Sequence, residues 1–163
     1  MGLLFATAGS KVEIGGKLAF NGVDLTSSSF TSQTWTEITG CTDIGRIGDS
    51  AQLITSDHVG AARTRKLKGT RNAGSMALVC DLDYADAGQL ALIAAEKSKD
   101  TYAFRVTFND APATGSSPKP SQRLFVAMVM EAAEQLGGAN NVMQLNATLE
   151  IDSNIVRVAA SAT

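Results

Sequence analysis

At 163 residues the chain is long enough to bury one core and short enough to form a single domain. Hydrophobic residues make up 44% and charged residues 18%, which excludes a disordered chain, and no apolar run reaches the length that crosses a bilayer. The formal charge of −2 is unevenly spread: residues 56–72 hold five of the 14 basic residues against one acid, a local +4, so the remainder carries −6.

The opening Met1-Gly2-Leu3-Leu4-Phe5-Ala6 has no basic residue ahead of its short apolar stretch, and Ala6 stands where N-myristoylation needs Ser or Thr. Neither a secretory leader nor a membrane anchor is expected, and folding in a cytoplasm follows. Residues 17–20 and 23–25 flank Asn21-Gly22, a pair favoured in type I′ turns because both positions need positive φ, and predict a hairpin. A Ser/Thr-rich loop covers 26–33. Short strands are expected at 34–38, 42–44 and 52–55, broken at Gly40 and Gly45.

Residues 56–74 show no period, and a patternless stretch of this length inside a compact domain is commonly functional. Folded back on itself with about eight residues a side, it makes an arm reaching roughly 25 Å. A strand resumes at 75–80. Asp83 or Asp86 caps the next element, a helix running from Gln89-Leu90-Ala91-Leu92 to about Lys97, with Lys97 and Lys99 where the helix dipole favours cations.

Tyr102, Phe104, Val106 and Phe108 alternate with Ala103, Arg105, Thr107 and Asn109, the period of a half-buried strand. All three prolines fall in a loop over 110–122, and residues 124–130, apolar on both faces, predict a central or interface strand. Met143, Leu145, Ala147, Leu149 and Ile151 alternate with Gln144, Asn146, Thr148, Glu150 and Asp152, and a last strand covers 155–158. The fold expected is a mainly antiparallel β-sandwich or partial barrel with one flanking α-helix and a long extended loop, a single domain over 1–163. Its longer strands, 124–130 and 143–151, have edges on which a second copy could pair.

Chemistry is sparse. His58 is the only histidine, and beside Asp57 it reads as a loop residue rather than half of a catalytic dyad. One histidine and two cysteines 39 residues apart lack zinc-site spacing. Cys41 and Cys80 are expected as thiols in a reducing compartment, with a disulfide as the alternative. Gly15-Gly16-Lys17 runs into Leu18 and does not make a phosphate loop, and no Gly-x-Ser-x-Gly elbow occurs. Asp81 and Asp83 share a face of an extended segment and read as a polar lead into the helix. No enzyme, cofactor or metal is expected. The basic run Arg63-Thr64-Arg65-Lys66-Leu67-Lys68-Gly69-Thr70-Arg71 could track nucleic-acid phosphates, but no aromatic residue interleaves it for base stacking. A docking arm for an acidic protein surface fits equally well.

An ordered series of segments runs through residues 11–158: Trp35-Thr36-Glu37-Ile38, Thr42-Asp43-Ile44-Gly45-Arg46-Ile47-Gly48, the basic run, Gly74-Ser75-Met76-Ala77-Leu78, Asp86-Ala87-Gly88-Gln89-Leu90, Tyr102-Ala103-Phe104-Arg105-Val106 and Asn154-Ile155-Val156-Arg157-Val158. In that order it resembles the major tail tube protein of siphophages. The resemblance implies a structural subunit of hexameric rings stacked into a hollow tube, part of the virion tail and assembled in the host bacterial cytoplasm. Its partners would be copies of itself, tape measure protein and phage DNA in the lumen, and tail terminator and distal tail proteins at the ends, with no membrane.

It further implies that the long loop, residues 56–72, reaches the next ring through Asp57, His58, Arg63, Arg65, Lys66, Lys68 and Arg71. The termini, 1–10 and 159–163, would join in ring-to-ring contact. A lumen conducting DNA must not bind phosphates, so the polar face Gln144, Asn146, Thr148, Glu150 and Asp152 is a candidate wall, with plain solvent exposure the alternative. Two other functions fit the same residues: a nucleic-acid-binding protein using 63–71, and a tube protein of a related contractile or secretion machine.

Overall fold

One long strand organises the molecule. The computed structural model, which describes residues 3–163, contains β1 (Lys11–Lys17), β2 (Thr36–Glu37), β3 (Cys41–Asp43), β4 (Ser50–Ser56), β5 (Arg65–Asn72), β6 (Ser75–Asp81), α1 (Ala87–Glu96), β7 (Tyr102–Thr107), β8 (Gln122–Gln135), β9 (Gln144–Ile151) and β10 (Val156–Val158). The main sheet is antiparallel in the order β2-β1-β7-β8-β9-β6-β3, with β10 also on β8. The first part of β8 pairs with β7, from Thr107 opposite Gln122 to Tyr102 opposite Ala127. The second part pairs with β9, from Ile151 opposite Ala127 to Gln144 opposite Gln135, with a register shift between Val129 and Glu131. The sheet thus has two halves joined by one strand, and it curls at that join around the core. This is the mainly antiparallel β-fold with one flanking helix that the alternation predicts.

Burial follows the two-residue period. On β9, Leu145, Ala147, Leu149 and Ile151 are buried while Gln144, Asn146, Thr148 and Glu150 stay partly exposed. They join Val12, Ile14, Met76, Leu78, Phe104, Val106 and Phe125 in one cluster, closed on the helix side by Leu92 and Ala95. The opposite face of β7 and β8 is covered too. There Ala103, Leu124 and Val126 pack with Phe30, and with Leu18, Leu25 and Trp35 from the segment between β1 and β2. That cover explains why residues 124–127 are apolar on both sides. It also half-buries Arg105, whose guanidinium donates to Glu13 at 2.7 Å and lies 4.7 Å from the centre of the Trp35 ring.

The Asp86 carboxylate caps α1, accepting from the Gln89 backbone N–H at 2.8 Å. Gly88 seats the helix: a Cβ there would lie 2.2 Å from the Glu37 carbonyl oxygen, so only glycine permits this approach to β2. Gln89 is buried and spans three segments, donating to the carbonyls of Thr39 and Asp81 and accepting from the Asp83 N–H. Among the described residues no helix is long and apolar enough to cross a membrane.

Several expectations are corrected. No hairpin forms at Asn21-Gly22: Gly22 has φ +85°, but no residue other than glycine has positive φ among those described, so a type I′ turn is absent. Flanking partners are taken elsewhere. Lys17 pairs with Tyr102, the Leu18 N–H donates to the Thr101 carbonyl, and Leu25 is tied through both backbone groups to the Asn154 side chain. Cys41 and Cys80, expected as thiols, are set directly opposite by the β3–β6 register with their sulfurs adjacent, the arrangement that the disulfide alternative requires. Their 39-residue separation is misleading because the intervening chain leaves the body as an arm and returns to its origin. Residues 143–151 offer no edge for a second copy, because β9 is flanked by β6 and β8 along its length. Residues 124–127 are likewise enclosed, and β8 is open on one side only from Met128 onward among the described residues.

The proline loop is closed at its base by Asp110, which accepts the Ser121 N–H at 2.7 Å and a short hydrogen bond from the Ser121 hydroxyl. That hydroxyl, first among several donors, holds the Asp110 carboxyl below its ordinary range. A carboxyl depressed in the folded state adds stability above its unfolded pKa and loses it as pH falls through the folded value. The wild type should therefore be more stable than Asp110→Asn at neutral pH, and the two should converge below about pH 4. Thermal melts of both proteins across pH 2–7 check this.

Candidate assembly surfaces

Strands β4 and β5 form a two-stranded sheet of their own, unpaired with the main one. Its root is pinned by Arg71, 3.2 Å from Asp49, and by the Ser50 hydroxyl donating to the Asn72 carbonyl at 3.0 Å. The arm is therefore longer than its charged segment: β4 supplies one side, so it spans residues 50–72 rather than 56–72. Leu53 is opposite Lys68 and Thr55 opposite Lys66, while Ile54 is opposite Leu67 and Ser56 opposite Arg65. Opposite residues in an antiparallel pair share a face. Each face of the ribbon thus carries both apolar and cationic side chains.

Asp57, His58 and Arg63 lie in the connecting loop, Arg65, Lys66 and Lys68 on β5, and Arg71 at the root, drawn to Asp49. Among the described residues Arg63, Arg65, Lys66 and Lys68 enter no ion pair. Leu53, Ile54, Val59 and Leu67 are exposed by 61%, 48%, 110% and 67%. Charge and the missing period mark this segment in sequence, and neither points to the four apolar side chains; their spacing of one every few residues in a polar run is the signal for them. Among the described residues no third strand pairs with the ribbon, and an isolated two-stranded ribbon is marginal in water.

The polar face of β9 keeps four of its five expected members. Asn146 donates to Gln135 at 2.9 Å and Thr148 to Glu131 at 3.1 Å, while Gln144 and Glu150 stand opposite Asp81 and Ser75 of β6. Asp152 lies beyond the strand end, in a recess with Asp24, Asp49 and Arg71 at the arm's root. No Lys or Arg occurs in residues 72–96 or 124–156, so β6, β9 and the part of β8 paired with β9 add only acids and neutral groups to this face, while Arg46 from the segment after β3 lies beside Ser75 at its edge.

Of the N-terminal arm, Met1 and Gly2 lie outside the described residues, while Leu3, Leu4 and Phe5 are exposed. The C-terminal tail is tied down by paired hydrogen bonds between Ser161 and Lys119. Asp83 accepts from the Ala85 N–H, and Tyr84 donates to Glu134 at 2.8 Å, a bond that raises the phenol's pKa. Among the described residues no group of three or more His, Cys, Asp or Glu is arranged to hold a metal.

Residues 16–160 match the family model described as "Phage tail tube protein, TTP". No curated protein is similar enough in sequence to count as a relative. In fold the chain is similar to a chain of the anti-feeding prophage baseplate, at 14% identity and a TM-score of 0.66 with 98% of each chain covered. It is also similar to a chain of the PVC sheath/tube terminator of an extracellular contractile injection system, at 10% identity and 0.67 with 97% of this chain and 99% of that one covered. Against the SPP1 tail tube the figures are 12% and 0.59, with 92% and 76% covered.

Proposed function

The chain belongs to the phage tail tube protein family, and on that premise we propose that its copies close into hexameric rings that stack into a hollow, DNA-conducting tube of a siphophage virion, assembled in the host cytoplasm. The observation that carries this is the β4–β5 ribbon: two strands without a sheet, exposing Leu53, Ile54, Val59 and Leu67 beside unpaired cations. Such an element is completed by another molecule. Ring closure needs a head-to-tail contact whose rotation closes. The open side of β8 beyond Ala127 supplies an edge on which a neighbour can add. Tape measure protein and then DNA occupy the lumen, and terminator and distal tail proteins close its ends. Negative-stain microscopy of concentrated protein tests the reading: rings or hollow rods are expected, and compact single particles in every buffer overturn it.

The lumen wall is the face carrying Gln144, Asn146, Thr148 and Glu150. Since these strands add no cation to it, DNA finds no phosphate contact along them from which to release counterions. Rods bearing Asn146→Lys and Thr148→Lys should retain added DNA at low salt and release it as salt rises, whereas wild-type rods retain none. DNA retained equally by both, or a subunit map with this face outward, rejects the assignment.

A second reading, a tube subunit of a contractile injection machine, is favoured by the likeness to the anti-feeding prophage and PVC chains. The two differ in the surroundings of the tube: naked rods in the native particle support the first, rods inside a sheath the second. A nucleic-acid-binding role for residues 63–71 predicts instead that purified monomer shifts free DNA in a gel, with loss at high salt.

A further inference from the structure

The tube reading leaves open what receives the arm. β6 follows the arm after Ala73 and Gly74 and runs away from it, so its last residue, Asp81, is about 20 Å from the arm's root at ~3.3 Å per residue. At that far end two loops meet, residues 82–86 after β6 and residues 136–143 between β8 and β9. They are joined by the Leu82 N–H donating to the Met143 carbonyl at 2.9 Å and by the Tyr84 hydroxyl on Glu134.

Both loops carry exposed apolar side chains, Tyr84 on one and Leu136, Val142 and Met143 on the other, exposed by 59%, 59%, 66% and 50%. The acids Asp83 and Glu134 accompany them, and no cation lies in either sequence run that builds this end. Ribbon and patch are thus complementary in both terms: apolar with cations at one end of β6, apolar with acids at the other. Surfaces at opposite ends of one molecule that fit each other generate an open, repeating stack by translation.

Resting on the tube reading, we infer that the end formed by residues 82–86 and 136–143 of one copy receives the β4–β5 ribbon of a second copy in the next ring. The apolar side chains supply most of the affinity, and the cations set approach and register.

The test uses the full chain with Val59→p-benzoylphenylalanine at the ribbon tip, irradiated in rods and mapped by peptide mass spectrometry. Intermolecular adducts on residues 82–86 or 136–143 are expected. Adducts confined to other surfaces of the second copy overturn this acceptor while leaving the tube reading standing; failure of the unmodified chain to form any rods overturns both. A second measurement avoids the photoreactive residue. Leu136→Ser with Val142→Ser should raise the protein concentration needed for rods by about tenfold or more, with the monomer's melt unchanged. An unaltered threshold counts against the patch. Lys66→Glu with Lys68→Glu should block rods and regain them when combined with Asp83→Lys and Glu134→Lys; a combined variant that folds but stays monomeric also overturns the pairing.

Discussion

Replacing Arg63, Arg65 and Lys66 together by Glu should give a subunit that folds normally and no longer polymerises. The changes turn the +4 of residues 56–72 into −2. One exposed ion pair contributes little to stability, but three reversals replace several attractions by repulsions at every copy of the contact, and a stack multiplies the effect. Folding is spared because these side chains lie on a ribbon unpaired with the main sheet and enter no ion pair with the body. Sedimentation and negative staining read the outcome beside a thermal melt. Rods of unchanged length and yield would remove the arm from the assembly mechanism. The same electrostatics predict that wild-type rods form more slowly at high salt, where the screening length shortens to a few ångströms.

Phe125→Ala should cost about 3–5 kcal/mol of stability and lower the melting temperature by roughly 10 °C or more. Phe125 is fully buried at the join of the two half-sheets, directly opposite Phe104, with the rings stacked 5.7 Å apart. Strands on either side hold the site open, so the cavity cannot collapse, and the loss exceeds the transfer free energy of the ring alone. Phe104→Ala should cost a similar amount, and the double variant less than the sum because each has already removed the other's partner. Urea unfolding of the three proteins measures this; a double variant whose loss equals the sum would mean the rings contribute independently.

The parts of the fold legible in sequence are those where one face of a strand is buried and the other wet. β9 alternates without a miss and lies where the alternation puts it; β7 shows the same period in sequence, although its second face is covered around Ala103. The helix is equally plain in sequence, which offers Asp83 or Asp86 as its cap; the structure selects Asp86 and starts the helix at Ala87. The second half of β8 was not: Glu131-Ala132-Ala133-Glu134-Gln135 consists of good helix formers, and its extended state is imposed by pairing with β9. Asn21-Gly22 misled for the opposite reason, a sound local turn signal overruled because its flanks bond elsewhere. Charge and the missing period mark the arm, whereas its apolar residues, scattered singly, form no pattern of their own. The patch at residues 82–86 and 136–143 had no signal at all, since it exists only where two loops some 50 residues apart are brought together, as in the Tyr84–Glu134 bond.

The ribbon's independence of the body has a kinetic consequence. Two strands with no third to lean on melt readily in water, and a docked ribbon must be ordered, so each addition carries an entropic toll that only a finished acceptor end repays. Dispersed subunits then tolerate one another, and growth waits on a rare first seed. Fresh solutions should show a lag that a trace of sheared rods abolishes.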